Sequence, residues 1–204
     1  MSLQPFTQVT GKAAPMLAAN IDTDVIMPKQ FLKGIDRNGL DRGLFFDLRF
    51  MPTGEPNPEF VLNQQAWKGA SFMVVGPNFG CGSSREHAVW GLKQMGIRAL
   101  IGSSFAGIFY DNCQRNGVLL ITLGEAVLHM LGQTVSQADQ AQISVDLAAQ
   151  QIRLADGQVI PFQIDTLRKT ALSLGLDAIG STLQRSEQIK AFERSHLAAN
   201  PWLG

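Results

Sequence analysis

Gly76-Pro-Asn-Phe-Gly80-Cys-Gly-Ser83-Ser-Arg85-Glu-His87-Ala88 is the stretch on which the reading of this chain turns. Before it, Phe72-Met-Val-Val75 is an apolar run with the length of a buried strand. After it, Ala88, Val89, Leu92 and Met95 recur at helical spacing. The stretch is therefore a strand–loop–helix junction. Its glycines let the backbone turn tightly and leave room for a ligand. Ser83 or Ser84 is placed to cap the helix, whose unpaired N–H groups and dipole favour an anion. Arg85 adds a planar fork of donors matched to a carboxylate or phosphate. By chemistry alone this is an anion site with hydroxyls beside it. It matches neither common nucleotide loop. Arg85 stands where G-x-G-x-x-G requires its third glycine, and the Gly-Lys-Ser/Thr end of a P-loop is missing.

Downstream, Arg98-Ala-Leu-Ile-Gly102 and Val118-Leu-Leu-Ile121 are two further apolar runs. Between them Ser103-Ser104 opens a helix with Phe105, Ile108, Phe109 and Cys113 on one face, and Asn116-Gly117 stops it. Strand, helix, strand, helix, strand with short loops predicts parallel pairing through right-handed crossovers. Another short helix is predicted over Glu125–Leu131. From Ile143 the residues alternate, over 143–147, 151–154 and 159–162, and Asp156-Gly157 is a hairpin signal. Two helices form the tail. Leu167, Ala171 and Leu174 share a face of the first, and Ile189, Phe192 and His196 share a face of the second.

Upstream, residues 1–19 read as a lead-in with a short strand or turn. Asn20-Ile-Asp22-Thr-Asp24-Val-Ile26-Met-Pro28 has two readings. It is an Asx-rich turn running into a strand, or a loop that sets a carboxylate beside the glycine junction. Lys29-Gln-Phe31-Leu-Lys-Gly34-Ile leads into an exposed, glycine-spaced loop through Gly43, and such loops often carry specificity. A short helix over 44–48 follows. Met51 to Pro58 is dense in helix breakers and reads as a surface excursion, packed back by Phe60-Val-Leu. The chain divides into a compact body, residues 1–164, and a helical C-terminal extension packed on it, residues 165–204.

The composition narrows the function further. Of the 204 residues 45% are hydrophobic and 17% charged, as in a globular protein, and the formal net charge is zero. No basic cluster marks a nucleic-acid surface. No signal peptide or long apolar span points to secretion or a membrane, so a cytoplasmic protein is expected. The two cysteines, Cys81 and Cys113, fit reduced thiols and are too few to ligate an iron–sulfur cluster. No His/Cys/Asp spacing matches a zinc site, so no metal site is predicted. Cys81 sits where a helix N-terminus can activate a thiol, but no Cys-x-x-Cys partner or base accompanies it. His87 reads as a packed, hydrogen-bonded side chain, and Glu86 as a complement to the helix dipole.

Asn78-Phe-Gly-Cys-Gly-Ser-Ser-Arg-Glu-His-Ala88 is more specific than a generic glycine loop, and it resembles the swivelling-domain motif of the aconitase superfamily. More closely, the chain resembles the small subunits of bacterial 3-isopropylmalate dehydratase (isopropylmalate isomerase) along nearly its whole length. Asn20-Ile-Asp-Thr-Asp24 with Pro28-Lys-Gln-Phe-Leu32, Ser104-Phe-Ala106, Asn112-Cys113, Asn116-Gly117 and the tail's Pro201-Trp carry that resemblance. Val89 and Leu120 depart from it, standing where many relatives have proline.

The resemblance implies an α/β fold, the aconitase-like swivelling domain: a barrel-like core of parallel strands with crossover helices, plus the helical extension. It implies a hydro-lyase of leucine biosynthesis that interconverts 2- and 3-isopropylmalate through 2-isopropylmaleate, active only as a heterodimer. A large-subunit partner would carry a [4Fe–4S] cluster whose open iron acts on the departing hydroxyl. Ser83 then corresponds to the base that removes the proton alpha to a carboxylate, with Ser84 an added donor and Arg85 the carboxylate clamp. Asp24 aligns with an acidic site residue. The loop of Lys29, Phe31, Leu32 and Lys33 aligns with the segment that reads the substrate's variable arm. Alternatives with the same residues are a related hydro-lyase for another 2-hydroxy acid, of homoaconitate or citramalate type, and a non-catalytic anion-binding module. A large partner docking over the junction also implies an exposed surface around Phe79 and Lys29.

Overall fold

The structure is a computed structural model that describes residues 3–33 and 37–203. The strands are β1 (Gln8–Met16), β2 (Phe72–Val75), β3 (Ala99–Gly102), β4 (Leu119–Thr122), β5 (Gln142–Asp146), β6 (Gln151–Arg153) and β7 (Val159–Pro161). The helices are α1 (Thr23–Ile26), α2 (Phe46–Arg49), α3 (Glu86–Gln94), α4 (Gly107–Arg115), α5 (Glu125–Val135), α6 (Thr166–Leu174), α7 (Ala178–Leu183) and α8 (Ser186–Ala199). All seven strands join one sheet in the order β4-β3-β2-β1-β5-β6-β7. The first four pair in parallel, and β5 to β7 are antiparallel to their neighbours. The expected α/β fold with parallel strands and crossover helices is thus present.

The parallel strands are apolar throughout because both of their faces are covered. Phe72, Val74, Ala99, Ile101, Leu119 and Ile121 enter one core cluster with Leu128, Leu131 and Val135 of α5 and Leu172 of α6. The alternate residues Met73, Val75, Leu100 and Leu120 enter a second, with Ala88, Val89 and Leu92 of α3 and Phe109 and Cys113 of α4. The two crossover helices therefore share a face, and α5 returns across the other. In β5 to β7 only Ile143, Val145, Ile152 and Ile160 face a core, which is why those segments alternate. The Asp156-Gly157 turn closes β6 on β7, with Gly157 at φ +90°.

Three expectations change. The lead-in is a nine-residue strand at the centre of the sheet, paired to β5 by its first half and to β2 by its second. Its Gly11, Ala13, Ala14 and Pro15 hide it from a reading by propensity. They are small because the sheet is crowded there: a β-carbon on Gly11 would lie 2.5 Å from the Ser71 hydroxyl oxygen. In α4 the buried set is Phe109, Asn112 and Cys113, while Ile108 points outward and is exposed. In α6 the buried residue is Leu172, flanked by exposed Leu167 and Leu174. There β1's entry segment, with Phe6 N–H donating to the Leu172 carbonyl, fixes which side of α6 faces in.

Candidate active site

The site stands where β1, β2 and β3 end, at the carboxyl edge of the parallel half, the edge at which open α/β sheets place ligands. Backbone hydrogen bonds lace three loops together there. Gly80 N–H donates to the Ile21 carbonyl and Thr23 N–H to the Cys81 carbonyl, each at 2.8 Å. Phe79 N–H donates to the Ser104 carbonyl, and Ala106 N–H to that of Phe79. Asn78 N–H bonds Ser104 Oγ at 2.9 Å, and its side chain donates to Asn20 Oδ1 at 2.8 Å. The loop after β1 is therefore a second wall of the site, and the sequence Asn20 to Pro28 resolves in favour of a loop that brings a carboxylate to the junction.

Gly80 and Gly82 have positive φ, +79° and +97°. A β-carbon on Gly80 would collide with the Phe109 ring, and one on Gly82 would lie 3.2 Å from the Asp22 β-carbon. Glycine is required at Gly80 for space as well as for φ, and at Gly82 for φ, with a tight fit against Asp22. Phe79 itself is fully buried, edge-on to Phe109 at 5.6 Å, and anchors the loop, while its neighbours Pro77 and Asn78, like Lys29, are exposed.

Arg85, not either serine, occupies the position before the first turn of α3, and no side chain caps the helix. Ser83 Oγ lies 2.8 Å from Thr23 Oγ1, and the Ser84 carbonyl accepts from Asn112 Nδ2 at 3.2 Å. Glu86 does more than complement the dipole: its Oε1 accepts from Asn116 Nδ2 at 2.6 Å, and Asn116 Oδ1 accepts from the Trp90 indole at 3.0 Å. His87 packs on Trp90 at 4.7 Å between centroids.

Arg85 forms an ion pair and hydrogen bond with Asp24. The guanidinium beside it holds the Asp24 carboxyl below its ordinary value; burial opposes this, and the Arg85 and Lys29 charges reinforce it. Among the described residues Asp24 is the one polar partner of Arg85, so most of its five donors meet no protein acceptor. Side-chain exposure is 18% for Arg85 and 49% for Asp24. Ser83 is half-buried and Ser84 exposed. The arrangement is an open shelf carrying hydroxyls, a fork of donors and one carboxylate.

The residues predicted to read a variable arm divide. Lys29 to Leu32 form one 3₁₀ turn. Lys29 and Lys33 are exposed, and Lys29 acts on Asp24 through its charge. Phe31 and Leu32 are half-buried against the second core; Phe31 packs on Phe46 at 5.0 Å and fills the space above Gly43. Positions 34–36 of that stretch lie outside the described residues. Reading by motif missed Thr23 and Asn112, the two buried polar residues at the site, with 1% and 6% exposure. The sequence offered little signal for either, since Thr23 stands between Asp22 and Asp24 and Asn112 follows Asp111.

The side chains do not fit an iron–sulfur cluster. Cys113 is buried, with its thiol pushed well up by burial, and Cys81 stands alone on the loop. Among the described residues no three His, Cys, Asp or Glu side chains gather as metal ligands. Among them too, no helix is long and apolar enough to cross a membrane.

Comparison with known proteins covers nearly the whole chain. A family model described as the aconitase C-terminal domain matches residues 3–126, and one described as LeuD_N matches 131–166. A third, described as the C-terminal domain of the 3-isopropylmalate dehydratase small subunit, matches 179–204. A 3-isopropylmalate dehydratase small subunit 1 from Mannheimia succiniciproducens is 62% identical, over 98% of this chain and 99% of its own. A small subunit 2 from Salmonella typhimurium is 57% identical, over 98% and 96%. Among solved structures, a 3-isopropylmalate dehydratase from Methanocaldococcus jannaschii superposes with a TM-score of 0.68 at 26% identity, over 90% of this chain and 99% of that one.

Proposed function

Because the chain belongs to the 3-isopropylmalate dehydratase small-subunit family of the aconitase superfamily, we propose that it is the small half of a hydro-lyase. That enzyme interconverts 2-isopropylmalate and 3-isopropylmalate through 2-isopropylmaleate, in leucine biosynthesis in the cytoplasm. Residues 1–164 are the swivelling domain and 165–204 its extension. The other half is a large-subunit partner, and the [4Fe–4S] cluster belongs there, since two cysteines are too few to ligate it.

The observation that carries the reading is the shared shelf of Ser83, Arg85 and Asp24. Arg85 is held by Asp24 with donors to spare, as a bidentate carboxylate clamp must be. With the substrate carboxylate on Arg85, Ser83 Oγ as the alkoxide takes the proton from the carbon alpha to it. The C–H bond breaks and the Oγ–H bond forms. The electron pair left behind becomes the double bond as the neighbouring carbon loses its hydroxyl, chemistry these residues do not supply. Rehydration runs the steps in reverse. Lys29, whose charge acts on Asp24, holds positive charge beside the shelf, which favours a dicarboxylate.

Co-expression with a cluster-bearing large subunit, followed by an assay of 2-isopropylmaleate hydration, tests the proposal. Activity of the pair with none from either chain alone is the expected result. Full activity of this chain by itself would overturn it, as would an active pair that turns over homoaconitate- or citramalate-type substrates and ignores 2-isopropylmaleate.

A further inference from the structure

Thr23 presents a buried hydroxyl whose placement serves Ser83 and little else. It is the first residue of α1, 1% exposed, beside Ile26 and Met27, which are wholly buried. Both of its backbone groups are occupied: its N–H donates to the Cys81 carbonyl at 2.8 Å, and its carbonyl accepts from Met27 N–H at 2.9 Å. Among the described residues Ser83 Oγ, at 2.8 Å, is the one partner of its hydroxyl.

Valine would fill the same volume without burying a polar atom. A threonine kept for the fold alone would more naturally return its hydroxyl to a backbone carbonyl of its own segment. Here the hydroxyl crosses to the neighbouring loop and meets a half-buried serine that water could otherwise satisfy. Little stability is at stake in such a bond. Its value changes when the Ser83 oxygen is ionised, because a bond to a charged acceptor is shorter and roughly twice as strong. Either hydroxyl can donate in this bond; with Thr23 as the donor, a group on a backbone held by two hydrogen bonds needs no reorganisation when the charge appears.

We propose that Thr23 is a positioning residue for the base: its hydroxyl donates to Ser83 Oγ, fixes the serine rotamer and stabilises the alkoxide. The inference rests on the assignment of Ser83 as the base. When Ser83 takes the proton from the substrate carbon, Thr23 keeps its own proton, and the two hydroxyls remain bonded.

The test uses the enzyme reconstituted with its large subunit and compares Thr23→Val, Thr23→Ser, Ser83→Ala and Thr23→Val/Ser83→Ala. Thr23→Val is expected to lower kcat about 10- to 100-fold, less than loss of a primary oxyanion donor, with KM changed less than about twofold. The melting temperature should stay at the wild-type value. Thr23→Ser should restore most of the turnover, and Thr23→Val should cost nothing further in the Ser83→Ala background. Wild-type turnover in Thr23→Val while Ser83→Ala is inactive would overturn the inference and leave the function standing. Equal losses in Thr23→Val and Thr23→Ser with a lowered melting temperature would also overturn it, in favour of packing. Wild-type turnover in Ser83→Ala would instead remove the reading beneath it.

Discussion

The glycine junction and the C-terminal helices are ordered by opposite means. At the junction, exposed polar side chains stand on a backbone tied to two other loops by hydrogen bonds and wedged on the buried Phe79 and Phe109 rings. Along α7 and α8 no residue is buried, and Ile179, Leu183 and Phe192, with Trp202 just beyond α8, are 63% to 76% exposed. The first region is polar in sequence and rigid in structure; the second is amphipathic in sequence and bare in structure. Periodicity reveals that an apolar face exists, not that the same chain covers it. Order at the junction, conversely, comes from backbone accounting that hydropathy does not register.

If that contrast is right, changes at the junction should be costly and of two separable kinds. Ser83→Ala should remove chemistry without structure: turnover of the reconstituted enzyme falls about 10²- to 10⁴-fold, equal to about 2.7–5.5 kcal/mol of barrier. Because Ser83 is half-buried and its partner Thr23 is a hydroxyl, the urea midpoint should barely move. A matching fall in stability would mean that the loop, rather than the chemistry proposed for Ser83, had been broken.

Gly80→Ala is the converse, removing structure first. A side chain there must adopt φ near +79° and displace the Phe109 ring. Strain of this kind costs about 1–3 kcal/mol and overpacking a similar amount, so a loss of about 2–6 kcal/mol is expected from urea unfolding. Shortening the ring in Gly80→Ala/Phe109→Leu should recover part of it. Equal midpoints for Gly80→Ala and wild type would show that the loop is not wedged.

The same contrast explains what could be read in advance. The runs 72–75, 99–102 and 119–122 were legible as parallel strands because burial on both faces makes them uniformly apolar. β1 was not, since a crowded central strand built of Gly11, Ala13, Ala14 and Pro15 looks like a linker. At the site, Ser83, Ser84, Arg85 and Asp24 were legible through the glycine motif and the resemblance it carries. Thr23 and Asn112 were not, because their importance lies in pairings across 60 and 28 residues of sequence.

A smaller effect probes the ion pair that joins the two walls. Arg85 lowers the Asp24 carboxyl below its ordinary value of 3.8. A carboxyl depressed on folding adds stability above its unfolded value and loses it as pH falls through the folded one. Both partners remain partly exposed, so the contribution is small and screened by salt. Urea midpoints from about pH 5 to about pH 2 should fall less steeply for Asp24→Asn than for wild type. Superimposable acid limbs would mean that the pair does not persist in solution.

The smallest effect belongs to the tail, and its smallness is the test. Phe192 is 68% exposed, and its one ring partner among the described residues is His196 of the same helix, at 5.4 Å. In a core, loss of a phenylalanine side chain costs about 3–5 kcal/mol; on an uncovered helix the transfer term vanishes, because the ring meets water in both states. Phe192→Ser should therefore shift the stability of the isolated chain by no more than about 0.5 kcal/mol. Leu172→Ala, twenty residues earlier on the one buried position of α6, should cost about 2–5 kcal/mol. A loss of similar size in both variants would mean that the chain covers α8 itself. The two regions would then differ in composition alone, not in what holds them.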